Sequence, residues 1–242
     1  MRSAGRISLR NVHLVERVSP VGRSARRRTV LSGASVDIVA GRYILTGEEN
    51  DRRCLVDLIV GRRDPLLGSI RREGRCSYPV GRTGPFAIPV RGAEIVNFMG
   101  ELYRFDASHA LRELHSVLPW PNILGTRLDQ AEAHQRLALS IAMARFIDVD
   151  ILVIDGALAH PAFPERFLRY VGALLSEHVA GRLVLFSSRQ FNVARAFAEL
   201  SINVANGKVF VSNEIKAPPL FNRSEEAPAE EPELVYEDVD LI

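Results

Sequence analysis

Two uninterrupted apolar runs, Ile151-Leu-Val-Ile154 and Leu183-Val-Leu-Phe186, flank a segment from Phe163 to Glu177 in which apolar residues recur at helical spacing. A strand with no polar side chain has no face to offer to water, so each run must be covered on both sides. A helix-length connection between two such strands is what a parallel pairing requires. The same alternation extends along the chain. Asp129 to Phe146, rich in Ala and Leu, predicts a helix before the first run, and Phe191 to Leu200 predicts another after the second. Ile202 to Val211 then closes the pattern as a hairpin turning at Asn206-Gly207. Upstream, a short apolar strand ends in a turn within Gly41-Arg-Tyr-Ile-Leu-Thr-Gly47, and Cys54 to Val60 has helical spacing. Strand, loop, helix is the order of a phosphate-binding unit. These patterns predict an α/β fold: a mainly parallel sheet with helices on both faces.

Two regions depart from that pattern. From Ile7 to Ile38 apolar and polar residues alternate around a Ser/Gly/Arg-rich insert near Ser19 to Arg28, which predicts antiparallel strands joined by a loop. Ala93 to Leu118 predicts one or two amphipathic helices, and Pro119-Trp120-Pro121 interrupts them. Beyond Pro218 the composition changes. Ser224 to Ile242 is rich in Glu, Pro and Ala and holds no Lys or Arg, which reads as a solvated, disordered tail or as the carrier of a short motif in Leu234-Val-Tyr236 or Val239 to Ile242. The expected organisation is a folded domain over 1–217, with a helical subdomain at about 93–146, and an acidic tail over 218–242.

With 47% hydrophobic residues in 242, the chain has enough apolar surface for one well-buried domain. The net charge of +2 hides an uneven distribution, with arginines crowding the start and acids the end. The Arg-rich opening reads either as a solvated loop or as a surface for anionic lipid or nucleic acid. Cys54 and Cys76 have neither CxxC spacing nor a His cluster nearby, so neither a disulfide framework nor a zinc site is expected. No apolar run approaches the roughly 18 residues that span a bilayer.

Several segments, taken in order, resemble one family. Gly68-Ser-Ile-Arg-Arg-Glu-Gly-Arg-Cys-Ser-Tyr-Pro-Val-Gly81 is similar to its strand-turn-strand ending in an aromatic-Pro pair. Gln135 to Ala144 is similar to its helix after the signature motif, Ile151-Leu-Val-Ile-Asp155 to its Walker B strand, and Asn206-Gly-Lys-Val209 to its closing hairpin. The family is the ATP-binding subunit of capsular-polysaccharide exporters, within the ABC superfamily. The resemblance implies an ABC-type P-loop NTPase-like core with an antiparallel β subdomain and a helical subdomain.

The residues that would handle ATP depart from the family pattern. A Walker A loop, G-x-x-G-x-G-K-[ST], uses glycines so that successive N–H groups converge on phosphate. Here the equivalent stretch is Thr46-Gly47-Glu48-Glu49-Asn50-Asp51-Arg52-Arg53-Cys54. Thr46, Glu49 and Asp51 stand for glycines, Arg52 for the Lys, and Arg53 for the magnesium-binding hydroxyl. Residues with a Cβ resist φ > 0 at about 1 kcal/mol or more apiece. A carboxylate about 4 Å from a phosphate charge costs on the order of 4 kcal/mol at a dielectric near 20. Walker B keeps Asp155, but Gly156 replaces the Glu that would orient water. Carried over by position, the adenine-stacking aromatic falls at about Glu16, the Q-loop Gln at about Ala87, the switch His at Ser188, and the signature Ser and second Gly at Gln130 and Glu132. Asp129 and Glu132 predict a capping box on the signature helix, so that the protein's own carboxylates satisfy N–H groups that would face a partner's ATP. His109, His115, His134, His160 and His178 are scattered without the pairing a metal site needs, and Trp120 reads as a helix-end plug.

These residues predict an exporter-associated ABC subunit that is structural or regulatory, with no cofactor expected; ATP and magnesium bind only if residual affinity persists. The alternatives are an ATPase with an unorthodox phosphate loop built on Arg52 or Arg53, and a cytosolic scaffold for polysaccharide synthesis. The implied partners are a polytopic membrane permease and a second copy or a competent ATPase paralogue, with no specific nucleic acid. The implied location is the cytoplasmic face of the cell membrane.

Overall fold

The computed structural model describes residues 5–18, 26–82, 86, 88–156, 160–178, 182–187 and 195–215. Two long strands open the chain, β1 (Arg6–Val18) and β2 (Arg26–Ile38), paired antiparallel from Ile7↔Ile38 to Val18↔Arg26. A third, β3 (Gly41–Gly47), leads directly into helix α1 (Glu49–Ile59), and β4 (Leu67–Glu73) returns to the free edge of β1. The first sheet therefore has the order β2-β1-β4.

Helices α2 (Gly92–Tyr103) and α3 (Ala107–Val117) follow, separated at Arg104, whose φ of 60° ends the first of them. A 3-10 turn at Pro121–Leu124 marks the proline pair. Then come α4 (Ala133–Met143), β5 (Ile151–Asp155), α5 (Glu165–His178), β6 (Leu183–Ser187), β7 (Leu200–Ala205) and β8 (Lys208–Ser212). The second sheet has the order β5-β6-β3-β7-β8 and is parallel except at the β7–β8 hairpin. Cys76 and Val80 bridge Ile151 and Ile154 in parallel, so this segment continues the sheet beyond β5.

The two apolar runs are buried at every position, as expected of strands covered on both faces. Alternation along each strand divides the core. Ile44, Leu152, Ile154, Val184 and Phe186 pack with residues of α2 to α5, whereas Leu45, Ile151, Val153, Leu183 and Leu185 pack with α1 and the inner face of the first sheet. Helix α1 is wedged between the sheets through Leu55, Val56, Leu58 and Ile59, all fully buried.

The structure corrects three boundaries. The helix expected from Asp129 begins at Ala133, because 128–130 form a turn. The helix expected from Cys54 begins five residues earlier, at Glu49. Leu200, expected to end a helix, starts β7; of the expected helix 195–197 are helical, and 188–194 lie outside the described residues together with 19–25 and the acidic tail. None of the described helices is long and apolar enough to cross a membrane.

Candidate functional site

The C-terminal ends of the parallel strands gather Thr46, Asp155 and Ser187, all buried, beside the N-terminus of α1. In open α/β sheets this edge is where ligands bind. The connection from β3 to α1 is a single residue, Glu48, which serves as N-cap. Glu49, Asn50, Asp51, Arg52, Arg53 and Cys54 are helical, and the Arg52 N–H already donates to Glu48 O at 3.0 Å. The wide glycine loop that would wrap a phosphate is thus wound into helix. The strain expected from φ > 0 does not arise: the described non-glycine residues with positive φ are Asn11, Arg104 and Asn206. Gly47 does have φ of 115°, but its role lies in the sheet, where a Cβ would meet Val204 O at 2.2 Å. Cys54 is a core thiol with its pKa raised by burial, an effect that Arg63 partly opposes.

The acids of this helix start are met by a residue from the β-sheet. Arg28 on β2 reaches Asp51 at 2.6 Å, Glu16 at 2.8 Å and Glu48 at 3.6 Å. Its pKa is raised, first through the hydrogen bond to Glu16, with desolvation opposing. Glu16, at the position inferred for an adenine-stacking aromatic, is therefore part of an ion network lying over the α1 N-terminus. Arg52 is half-buried and Arg53 is exposed.

A second network lies at the end of β5. Asp155 accepts a hydrogen bond from Arg82 Nε, and Arg82 Nη1 donates to Asp57 Oδ1 on α1 at 2.9 Å. The three side chains are only 12–17% exposed. Magnesium needs open carboxylate oxygens, and Asp155 instead carries a guanidinium, so the residues present do not fit a Walker B metal. Gly156 is also constrained. Its φ is 135°, its N–H donates to Ser187 O at 3.0 Å, and a Cβ there would meet Gly81 O at 2.3 Å. Ala87 and Ser188 lie outside the described residues.

The capping box expected between Asp129 and Glu132 does not form; the box that does form lies three residues further on. The N-cap of α4 is Glu132, and its partner is Gln135, whose Oε1 accepts the Glu132 N–H at 3.3 Å. Asp129 takes no part in it. It pairs with Arg127 at 2.7 Å, and that hydrogen bond lowers its pKa. Gln130 is exposed in the turn, with its N–H bonded to Arg127 O at 3.1 Å. Trp120 packs against His134, with ring centroids 4.4 Å apart, in keeping with a plug. The histidines are less scattered than expected: His134 stacks on His160 at 5.5 Å and contacts Glu132 at 3.1 Å, and His109 faces Glu113 one turn on at 3.7 Å. No metal-binding cluster forms among the described residues.

Arg28, Asp57 and Arg82 were not singled out by motif. Arg28 is accessible to reasoning once the hairpin register sets it opposite Glu16. Arg82 has no local signal, being 73 residues from Asp155 in the chain.

No protein-family model matches the chain. ATP-binding protein BexA of Haemophilus influenzae is 21% identical over 182 residues, which cover 74% of this chain and 83% of that protein. Among solved structures, the dimeric post-hydrolysis ATP-binding cassette MJ0796 bound to ADP and Pi superposes with a TM-score of 0.64 and 16% identity, over 84% of this chain and 96% of that one. A metal-chelate-type ABC transporter in an inward-facing conformation gives 0.57 and 16%, over 86% and 84%. The two-sheet core, the helical segment and the order of motifs thus agree with these likenesses: the chain has the ATP-binding-cassette ATPase fold, and in sequence it resembles the ATP-binding subunits of ABC transporters.

Proposed function

We propose that this chain is an ABC-ATPase-like subunit of a capsular or cell-surface polysaccharide exporter, held at the cytoplasmic face of the membrane by a polytopic permease, and that it serves there without turning over ATP. The observation that carries this reading is the pair of internal arginine networks. Arg28 neutralises acids at the α1 N-terminus, and Arg82 neutralises Asp155. A polyphosphate entering the usual pose would meet Glu48, Glu49 and Asp51 and would have to displace Arg28 from them. A catalytic carboxylate beside Asp155 has no place, because the residue there is Gly156. The likeness to BexA supports the transporter context, and the retained scaffold supports assembly with a second ATPase-like subunit. In such a pair Glu132 would bring negative charge to the N-terminus of α4, the end that the resemblance turns towards the partner.

Isothermal titration of the purified full-length chain with magnesium-ATP tests the reading, paired with a phosphate-release assay. Expected are no binding heat at millimolar nucleotide and no turnover above a no-protein control. Magnesium-dependent hydrolysis at a rate of about 1 per second, within the ordinary enzymatic range, would refute it.

A further inference from the structure

We propose that Arg82 is a built-in replacement for the divalent cation of this fold, so that the C-terminal edge of the parallel sheet is assembled by a guanidinium and needs no metal. This rests on the reading above that the chain works without magnesium-ATP.

Asp57, in the middle of α1, and Asp155, the last residue of β5, reach the same guanidinium at the edge of the core, at 17% and 12% exposure. Two carboxylates in so little water repel strongly unless a cation lies between them. A metal is one such cation. Here the cation is the planar fork of Arg82, with Nε on Asp155 and Nη1 on Asp57. The fork ties helix to strand, as an ion shared by the two carboxylates would.

The backbone explains how Arg82 comes to be there. Val80 accepts the Asp155 N–H at 2.8 Å and donates to Val153 O at 2.9 Å, so the chain before Arg82 lies directly along β5. That approach brings Gly81 O to within 2.3 Å of where a side chain would begin on residue 156. The packing that delivers the guanidinium to Asp155 therefore also forbids a glutamate at 156. The gain of Arg82 and the loss of the water-orienting carboxylate are two results of one backbone contact.

The experiment compares full-length wild type with Arg82→Met, each in EDTA and in millimolar Mn2+, by thermal melting and by the Mn2+ electron paramagnetic resonance signal. The wild type is expected to melt at the same temperature in both buffers and to leave the Mn2+ signal unchanged. Arg82→Met is expected to melt lower in EDTA, to recover part of the loss in Mn2+, and to take up Mn2+. A wild type that binds Mn2+, or an Arg82→Met variant that melts identically in both buffers, overturns the proposal. If Arg82→Met is insoluble, its refolding yield from urea is compared in the same two buffers, with a higher yield in Mn2+ expected and equal yields overturning. The triple variant Asp57→Asn, Arg82→Met, Asp155→Asn should fold and ignore Mn2+, and a response there would place the ion elsewhere and overturn the assignment. ATP turnover by the wild type would sink the function proposed above, whereas a cation-indifferent Arg82→Met in a chain without turnover sinks this proposal alone.

Discussion

At the scale of single residues, Gly156 separates a missing side chain from a forbidden one. Gly156→Glu, which sets a glutamate where the family resemblance implies one, replaces the glycine at φ 135° and drives a Cβ into the carbonyl of Gly81. Gly156→Ala meets the same two obstacles, so both variants should lose about 2 kcal/mol or more of unfolding free energy, measured by urea titration. Neither should gain ATPase activity, and a stable, hydrolysing Gly156→Glu would show that the site was only one residue short of function. Cys76 offers a second residue-level test. Burial pushes its thiol up to about 11 from an ordinary value near 9. The folded-state value is the higher one, so its contribution to stability is complete below pH 9 and is lost as pH rises through 11. Cys76→Ala should therefore show a shallower alkaline fall in melting temperature between those limits, and an unchanged slope would assign the fall to other groups.

At the scale of elements, α1 is secured at both ends by arginines from the antiparallel sheet. Arg28 of β2 meets the acids of its first turn, and Arg72 of β4 donates to Leu58 O and Ile59 O at its last, each at 2.5 Å. Each end gains from that contact: Glu48 makes no side-chain cap bond at the first turn, and the last turn has no basic residue of its own to face its carbonyls. Arg28→Met leaves Glu16 and Asp51 facing one another. With Arg28 about a third exposed, the loss is expected to be about 1 to 2 kcal/mol, between that of a surface pair and a buried one. Urea titration at low and high salt checks this: 1 M salt should narrow the gap between variant and wild type, because the excess negative charge is screened. The stretch expected to form a phosphate loop is instead the first turns of α1, where Glu49 and Asp51 lie at the positive end of the helix dipole and favour winding over an open loop.

At the scale of the whole molecule, two hydrophobic clusters share the central sheet, one on each face, and both are built from described residues, which end at Ile215. Truncation after Lys216 removes the acidic tail and none of the described residues of either cluster. The melting temperature of that shorter chain is expected to match the full-length protein, as differential scanning calorimetry would show. A clear drop would mean that the tail contributes packing.

The sequence by itself determined the architecture: apolar runs over 151–154 and 183–186, the alternation over 7–38 and the Asn206-Gly207 turn are local patterns whose period dictates strand, helix or hairpin and which face is buried. It also carries, through the family resemblance, the expectation that the nucleotide-handling positions are altered, because a motif is read one residue at a time. Which charges pair around those positions was decided by tertiary structure. Register placed Arg28 opposite Glu16, and a strand-like segment running beside β5 placed Arg82 between two aspartates that are 98 residues apart by number, Asp57 and Asp155. Charge pairing at such separations depends on where the backbone is brought by the burial of other residues, so no window of sequence contains it.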